Sequence, residues 1–449
     1  MNLSRRRFLA LSALTMTGSA LAACEKEASS EEAAGGSGSG ATDGSGQGSG
    51  EFDGSGEFEG SGSGAAVPAL QWVKGPWSMV AGPTSMRVRF ETDRDEEVEV
   101  TLVAIDGSRR SGTTTRETRE LTLSWPARGL RAEHPDRPGS STLHEVLFTD
   151  LQAGERYRVE LRAPGASLRE GSFRAPPAAG QPFRAIFVAD TMWPASERVG
   201  AQCATLGADL FLHGGDIQYM TSLVDTWNGY FTYFGGVMGT MASHHAIGNH
   251  EYEGFGEFES HFLRLFGGQG AEPPTNGYFA FTFGAARFVF LNSEEDFAVE
   301  GGPQTGWLDA ELATADADAA IKTVVMVFHR PTYTFGKSAP EVTKRQVLHP
   351  RFLRSKVRLV LTGHNHGYER FLVDGVHYVV DAGGGALLTD LNENLNAMEL
   401  QFPGEAALRV AAESSYGVTI LDVAADGTIT VERQNDRGAV SERYEVPVP

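Results

Sequence analysis

The chain has 449 residues, and its 58 acidic residues outnumber its 38 Lys and Arg, giving a formal net charge of −20 at pH 7. This balance argues against a nucleic-acid-binding surface and favours solubility instead. The two cysteines, Cys24 and Cys203, allow at most one disulfide, so a hydrophobic core must hold the fold.

The first residues are typical of an export signal. Residues 4–24 (SRRRFLALSALTMTGSALAAC) join a positive start, an apolar stretch too short to span a bilayer, and small residues. The segment SRRRFL resembles a twin-arginine export signal, and LAAC resembles a bacterial lipoprotein cleavage box. We therefore expect residues 1–24 to be a signal peptide and Cys24 to be lipidated. This anchors the protein to a membrane outside the cytoplasm, in the periplasm or at the cell surface. The alternative is an ordinary soluble secreted protein.

Two segments of different character follow the signal. Residues 25–66 are a Gly/Ser/Glu tract with too few apolar residues to fold, typical of a flexible linker. In residues 67–177, short runs of alternating apolar and polar residues predict the strands of an antiparallel β-sandwich. The strands predicted there are 86–92, 97–105, 119–125, 144–151 and 156–163. The end of this segment resembles a fibronectin type III module, which implies a spacer or a packing partner with no chemistry of its own.

From residue 183 to 449 the pattern changes to strands that alternate with helices. Buried strands are predicted at 184–189, 209–213, 323–328 and 357–361, further strands at 278–283, 287–292, 376–380 and 417–423, and helices at 196–207, 303–315 and 340–353. This predicts an α/β fold of two mixed β-sheets flanked by helices. Cys203 is expected to be a small buried hydrophobe. The aromatic segment 225–236 fits either a substrate cleft or core packing.

Polar donors follow several of these apolar runs. The candidate metal ligands are Asp190, Asp216, Tyr219, Asn249, His329, His364 and His366. Carboxylate, amide and imidazole groups at one edge of a sheet predict a metal site. We expect it to hold two ions, since a pair of ions about 3.5–4 Å apart suits phosphate-ester hydrolysis. Asp216 is the candidate bridge between the ions. A phenol has a pKa near 10, so Tyr219 as a ligand favours a trivalent ion such as Fe(III).

The ordered segments 188-VADT-191, 214-GGDIQY-219, 246-AIGNHEY-252, 326-MVFHRP-331 and 363-GHNHGYER-370 resemble the calcineurin-like metallophosphoesterase superfamily, and within it the purple acid phosphatases. The first segment keeps the aspartate but lacks both glycines of the family pattern. The resemblance implies that Asp190, Tyr219 and His366 hold the first ion, that Asn249, His329 and His364 hold the second, and that Asp216 bridges them. It also implies attack by metal-bound hydroxide, with iron(III) and a divalent iron, zinc or manganese ion as cofactors.

Other residues complete the predicted site. The resemblance also implies that His250 binds phosphate or protonates the leaving alkoxide. Arg330 and Arg370 are candidates for contacting a small phosphorylated substrate, although each could instead pair with a nearby carboxylate. His244 and His245 are interpreted as packing residues or as support for the ligands. The predicted activity is hydrolysis of phosphomonoesters. The alternatives are a nucleotidase or phosphodiesterase with the same site, and a non-catalytic surface lipoprotein.

Overall fold

The computed structural model describes residues 68–121, 139–217, 219, 223–253, 257–269, 277–295 and 297–449. The predicted signal peptide with Cys24, the predicted linker at 25–66, and positions 122–125 of one predicted strand lie outside these residues. Val67–Pro449 form one compact unit. Among the described residues, no helix has the length and apolar character needed to cross a membrane.

The strands of the first part are β1 (Trp72–Gly82), β2 (Ser85–Thr92), β3 (Glu99–Ala104), β4 (Arg109–Gly112), β5 (Thr115–Leu121), β6 (Gly139–Phe148), β7 (Arg156–Arg162) and β8 (Arg169–Arg174). The later strands are β9 (Phe183–Val188), β10 (Leu210–His213), β11 (Ala242–His245), β12 (Phe279–Phe283), β13 (Ala286–Phe290), β14 (Thr323–Val327), β15 (Val357–Thr362), β16 (Tyr368–Val373), β17 (Val376–Asp381), β18 (Arg409–Glu413), β19 (Gly417–Val423), β20 (Ile429–Asn435) and β21 (Val440–Val446). The helices are α1 (Ala195–Thr205), α2 (Leu223–Met238), α3 (Glu257–Phe266), α4 (Pro303–Ala317), α5 (Val342–Leu353) and α6 (Leu395–Gln401).

The first eight strands form two antiparallel layers. One is a four-stranded sheet in the order β4-β3-β7-β8, and the other has the order β1-β2-β6-β5. Strand β1 also pairs in parallel with β11 through Ser78 and Ala242, so the second layer continues into a ten-stranded sheet. The sequence did not predict β1, because its Gly75-Pro76 dipeptide is typical of a turn.

The remaining strands complete the ten-stranded mixed sheet and form a second mixed sheet. The ten-stranded sheet runs β21-β20-β19-β9-β10-β11-β1-β2-β6-β5, and the seven-stranded sheet runs β12-β13-β14-β15-β17-β16-β18. Strands β9, β10 and β11 are parallel to one another, as are β13, β14, β15 and β17. Buried residues of both sheets share one core, in which Phe187 and Leu212 belong to the first sheet and Phe288 and Leu361 to the second. This confirms the predicted α/β architecture of mixed sheets flanked by helices.

The helices cover the outer faces of the two sheets. Core residues of α1, α2 and α3 cluster with the first sheet, and those of α4, α5 and α6 cluster with the second. The aromatic segment 225–236 lies in α2, where Trp227 and Phe234 are fully buried. Core packing therefore accounts for these aromatic side chains. Cys203 in α1 is also fully buried, and its thiol is free.

Candidate metal centre

The candidate ligands lie on turns that follow parallel strands. Asp190 follows β9, Asp216 follows β10 and Asn249 follows β11, all in the ten-stranded sheet. His329 and His364 follow β14 and β15 of the facing sheet. Since the carboxyl ends of parallel strands lie at one edge of a sheet, this topology brings both sets of donors to the same end of the molecule.

Three of these turns have left-handed backbone at the ligand itself. The φ angle is 61° at Asp190, 58° at Asp216 and 76° at His364. Non-glycine residues seldom adopt this conformation, which costs on the order of 1–3 kcal/mol and is concentrated at functional sites. The neighbouring glycines are required by close approach: a Cβ at Gly363 would lie 2.4 Å from Asp190 Oδ2, and one at Gly248 would lie 2.2 Å from Asp216 Oδ1.

The first donor cluster is centred on His329. Its Nε2 lies 3.1 Å from Asp216 Oδ2, 3.2 Å from Asn249 Oδ1 and 3.2 Å from His364 Nδ1. Its Nδ1–H donates to the carbonyl of Gly214 at 2.9 Å, which directs Nε2 into the cluster. Ligand atoms of Asp216, His329 and His364 all lie within 4.8 Å of one another, as a shared metal ion requires.

Electrostatics at this cluster favour a cation. Burial alone would lower the pKa of His329, but the Asp216 and Asp190 carboxylates outweigh it and raise the pKa to about 10. Burial, together with His329 itself, holds the pKa of the adjacent His364 well below its usual value. Positive charge is therefore stabilised at a point that imidazole and carboxylate donors surround. Donors of this kind suit a divalent or trivalent metal ion.

The second donor cluster contains Asp190, Tyr219 and His366. The Tyr219 hydroxyl lies 2.8 Å from Asp190 Oδ1 and 3.2 Å from His366 Nε2, and His366 Nε2 lies 3.4 Å from Asp190 Oδ1. His366 Nδ1–H donates to the Leu387 carbonyl at 2.6 Å, which again points Nε2 at the cluster. The His364 backbone N–H donates to Asp190 Oδ2 at 2.9 Å and so joins the two clusters.

Tyr219 has an environment that opposes a free phenolate. Burial raises its pKa well above the usual value, and the Asp190 and Asp216 carboxylates raise it further. Only a strongly polarising cation would hold this phenol in the ionised form. The second cluster therefore offers a carboxylate, a phenol and an imidazole to one cation.

His250 lies beside both clusters. Its ring packs against the Tyr219 ring with centroids 4.4 Å apart, and its Nε2 lies 3.7 Å from Asp216 Oδ2. Its Nδ1 lies 2.8 Å from Glu253 Oε1. Burial lowers the pKa of His250, but Asp216 and Glu253 outweigh this and raise it to about 9. The two carboxylates thus favour the protonated form of this imidazole at the edge of the site.

The structure separates the two predicted substrate-binding arginines. Arg330 contacts the first donor cluster: its Nη1 is 3.2 Å from His364 Nε2, and its Nε donates to Glu294 at 2.8 Å. Arg370 is not brought to the donor clusters. Its guanidinium pairs with Glu442 on β21 and donates to His377 Nδ1 at 3.1 Å. The carboxylate pairing that the sequence left open is therefore the contact that the structure shows for Arg370.

Several residues that shape the site were not predicted from the sequence. Glu251 accepts backbone bonds from two ligand-bearing turns, Glu294 holds Arg330, and Leu387 fixes His366 through its carbonyl. Only Glu251 had a signal, since it follows Asn249 and His250 directly in the GNHE segment. His244 and His245 lie on opposite faces of β11 and stack on Phe281 and Phe266, each with ring centroids 3.9 Å apart.

Comparisons with known proteins agree with this geometry. Residues 183–368 match the family model of calcineurin-like phosphoesterases, whose members use a dinuclear metal site. Purple acid phosphatase 22 of Arabidopsis thaliana is 28% identical over 249 residues, which cover 52% of this chain and 54% of that protein. Probable inactive purple acid phosphatase 9 of the same plant is 27% identical over 191 residues, which cover 35% and 29%.

A solved structure supports the same fold. A purple acid phosphatase from yellow lupin (Lupinus luteus) seeds superposes with a TM-score of 0.68 at 19% identity, and the match covers 83% of this chain and 74% of that chain. The chain spans about half, or less, of the length of these curated relatives. Residues 183–368 are therefore similar to calcineurin-like phosphoesterases, and the chain is similar to purple acid phosphatases.

Proposed function

We propose that this protein is a metal-dependent phosphoric ester hydrolase of the purple acid phosphatase type, which hydrolyses phosphomonoesters with two metal ions. The observation that carries the proposal is the meeting of two donor clusters, one around His329 and one around Tyr219, at the carboxyl ends of strands from both sheets. Asp216 contacts the first cluster, and Asp190 in the second accepts the His364 N–H.

The residues of each cluster have distinct roles in this proposal. Asp190, Tyr219 and His366 would hold an Fe(III) ion. Asn249, His329 and His364 would hold a divalent iron, zinc or manganese ion, with Asp216 between the two. Such ions neutralise phosphate charge and lower the pKa of bound water.

Two side chains are suited to contact the substrate. The His250 ring is held through Nδ1 by Glu253, which leaves Nε2 free to donate a proton to the leaving alkoxide. The Arg330 side chain is 27% exposed and is held by Glu294, so its remaining N–H groups suit phosphate oxygens.

Metal content and the visible spectrum test the proposal most directly. Protein purified without residues 1–66 should bind about two metal ions per chain, one of them iron, as dinuclear sites do. It should show a broad visible band from tyrosinate bound to Fe(III). Two ions without that band would remove Fe(III) or the Tyr219 ligand from the proposal. Failure to bind metal, with no activity after iron, zinc or manganese is added, would overturn it.

The ester preference has a separate test. The same clusters would serve a nucleotidase or phosphodiesterase, since nothing in the donor set distinguishes a monoester from a diester. Turnover of p-nitrophenyl phosphate should exceed that of bis-p-nitrophenyl phosphate. A clear preference for the diester would contradict phosphomonoesterase activity while leaving the metal site intact.

A non-catalytic surface protein is the second candidate function, because one relative bears the name of a probable inactive phosphatase. Asp216→Ala distinguishes the two candidates. The substitution removes the carboxylate 3.1 Å from His329 Nε2, so we expect turnover to fall by at least about a hundredfold, as for the loss of a charge-stabilising group. Asp422→Ala breaks a half-exposed ion pair with Arg184 and should leave turnover unchanged.

Export and anchoring belong to the same proposal. The twin-arginine and lipobox-like segments support a lipoprotein that is exported folded and held through Cys24. The two antiparallel layers of β1–β8, one of which continues into the ten-stranded sheet, support a fibronectin type III-like packing partner. Cys24→Ser should move the protein from the membrane fraction to the soluble exported fraction. An unchanged distribution would contradict the lipid anchor.

A further inference from the structure

Glu251 connects the two turns that carry Asp216 and Asn249. It lies in the 3-10 turn His250–Tyr252, and its side chain is fully buried. Oε2 accepts the backbone N–H groups of Asp216 at 3.0 Å and Gly248 at 2.7 Å, and Oε1 accepts that of Ile217 at 2.7 Å. One carboxylate thus binds three backbone donors from two ligand-bearing turns.

These three donors depend on Glu251 for a reason that lies in the backbone. Gly215 and Asp216 both have positive φ, at 95° and 58°, so the chain leaves β10 in a conformation that carries its N–H groups away from the strand ladder. A buried N–H without an acceptor is unfavourable, because it has lost its hydrogen bonds to water and gained none in the protein. A carboxylate, with two oxygens and several lone pairs, can satisfy all three at once.

The turn that carries Asn249 also donates a hydrogen bond to the Asp216 side chain. The His250 N–H donates to Asp216 Oδ1 at 3.0 Å, so each turn holds the other. The turns are in direct contact as well, since a Cβ on Gly248 would lie 2.5 Å from the Asp216 nitrogen. The relative position of Asp216 and Asn249 is therefore fixed by hydrogen bonds and by contact.

We propose that Glu251 is a positioning residue that sets the distance between Asp216 and Asn249, and thereby the fit of the divalent ion that Asn249 would hold. This inference rests on the proposed two-metal function. Glu251 acts through the backbone: it accepts the N–H groups of Asp216, Ile217 and Gly248, and the ligand atoms themselves are supplied by the two turns. Residues that orient metal ligands typically contribute about 10–100-fold to metal affinity or activity.

Glu251→Gln tests the inference with little change in shape. The amide keeps one oxygen, and its NH2 group cannot accept, so at least one backbone N–H loses its partner. We expect the affinity for the divalent ion to fall about 10–100-fold and kcat to fall with it. We expect KM for p-nitrophenyl phosphate to change less than kcat does. Glu251→Asp keeps the charge but is one methylene shorter, so it should weaken binding in the same direction.

Glu399→Gln is the matched control. Glu399 also accepts two backbone N–H bonds, from Gly404 at 2.7 Å and Ala406 at 2.8 Å, in a turn that carries no candidate ligand. This variant should bind metal with wild-type affinity. Equal metal loss in both variants would overturn the inference.

Hydrogen exchange of the metal-free protein separates this inference from the proposed function. In Glu251→Gln the amides of Asp216, Ile217 and Gly248 should lose protection selectively, whereas the ladder amides of β10 and β11 should keep it. Full protection, or a lower melting temperature with unchanged metal affinity, would show that Glu251 does not position the ligands. If instead the wild-type protein binds no metal, the proposed function fails while the exchange result still reports on the turns.

Discussion

The Tyr219 hydroxyl lies 2.8 Å from Asp190 Oδ1 and 3.2 Å from His366 Nε2, so a carboxylate, a phenol and an imidazole meet at one point. Without a cation, the phenol donates to the carboxylate and stays neutral. With Fe(III) at the same point, the phenolate would be both a ligand and the source of colour. One oxygen atom therefore distinguishes a purple site from an uncoloured two-metal site.

Tyr219→Phe should abolish the visible band and lower iron content while the fold remains. The lost hydrogen bond contributes only about 0.5–1.5 kcal/mol to the free energy of unfolding, so the protein should remain folded. The spectrum, iron content and melting temperature check this. Tyr230→Phe is the control, because its buried hydroxyl bonds His245 Nε2 at 2.8 Å without touching a candidate ligand. A band that survives in Tyr219→Phe would contradict tyrosinate coordination.

Sequence position predicts ligands better than it predicts their supports. Asp216 and His329 each follow an apolar run, and the end of a parallel strand brings such residues to a shared edge. Arg370 has a similar place in the sequence, just after a histidine-rich turn, but it lies on β16. Its partner Glu442 is 72 residues further along the chain, and only the pairing of strands in space brings them together. The role of Glu251 depends likewise on the direction of its buried side chain.

Gly248, on the turn after β11, lies so close to Asp216 that no side chain would fit between them. A Cβ there would lie 2.2 Å from Asp216 Oδ1 and 2.5 Å from its backbone nitrogen. Gly248→Ala should therefore displace one turn from the other, and lower metal content and kcat together, although no ligand atom is removed. Displacement of catalytic groups by about 1 Å can cost about a hundredfold in rate. Metal content after dialysis and steady-state kinetics provide the measurement.

Gly235→Ala is the matched glycine control for that substitution. Gly235 lies inside α2, and a Cβ there would meet nothing within 4 Å. Alanine in a helix interior stabilises by about 0.5–1 kcal/mol relative to glycine. This variant should melt slightly higher and keep full activity. Equal activity in the two alanine variants would show that the Gly248 contact does not position Asp216.

The elements that the sequence misses have a common physical cause. Helix α2 contains glycines and an unusual number of aromatic residues, which pack in one cluster with apolar residues of α1, α3 and the first sheet. Strand β1 contains Gly75 and Pro76, which are typical of turns, yet it pairs on both sides. In both cases tertiary burial overrides local propensity, whereas the regular apolar strands β14 and β15 follow their local pattern.

At the scale of the molecule, a buried charge cluster joins the first β-strands to the domain that carries the metal centre. Glu91 on β2 pairs with Lys74 on β1 at 2.5 Å and with Arg264 on α3. All three side chains are almost fully buried, and Arg264 also donates to the Ser141 carbonyl at 3.1 Å. These buried contacts hold the two parts together where β1 and β11 already share a sheet.

Glu91→Gln should lower the free energy of unfolding by about 3–5 kcal/mol, because it removes the buried counter-charge of the Lys74 and Arg264 side chains. Glu432→Gln is the control, since its pair with the mostly exposed Arg443 spans 3.6 Å. That surface pair should contribute less than about 1 kcal/mol. Denaturant unfolding at neutral pH measures both variants.

The same carboxylate gives the protein an acid-dependent component of stability. Burial alone would raise the pKa of Glu91, but Lys74 and Arg264 outweigh it and lower the pKa to about 2. The folded pKa lies below the unfolded value of about 4.5, so this stabilisation is complete above pH 4.5 and is lost as the pH falls to about 2. Its size is on the order of 3 kcal/mol. The difference in unfolding free energy between the wild-type protein and Glu91→Gln should therefore shrink over that pH range. A difference that stays constant from pH 6 to about pH 2 would mean that the pKa of Glu91 is the same in the folded and the unfolded protein.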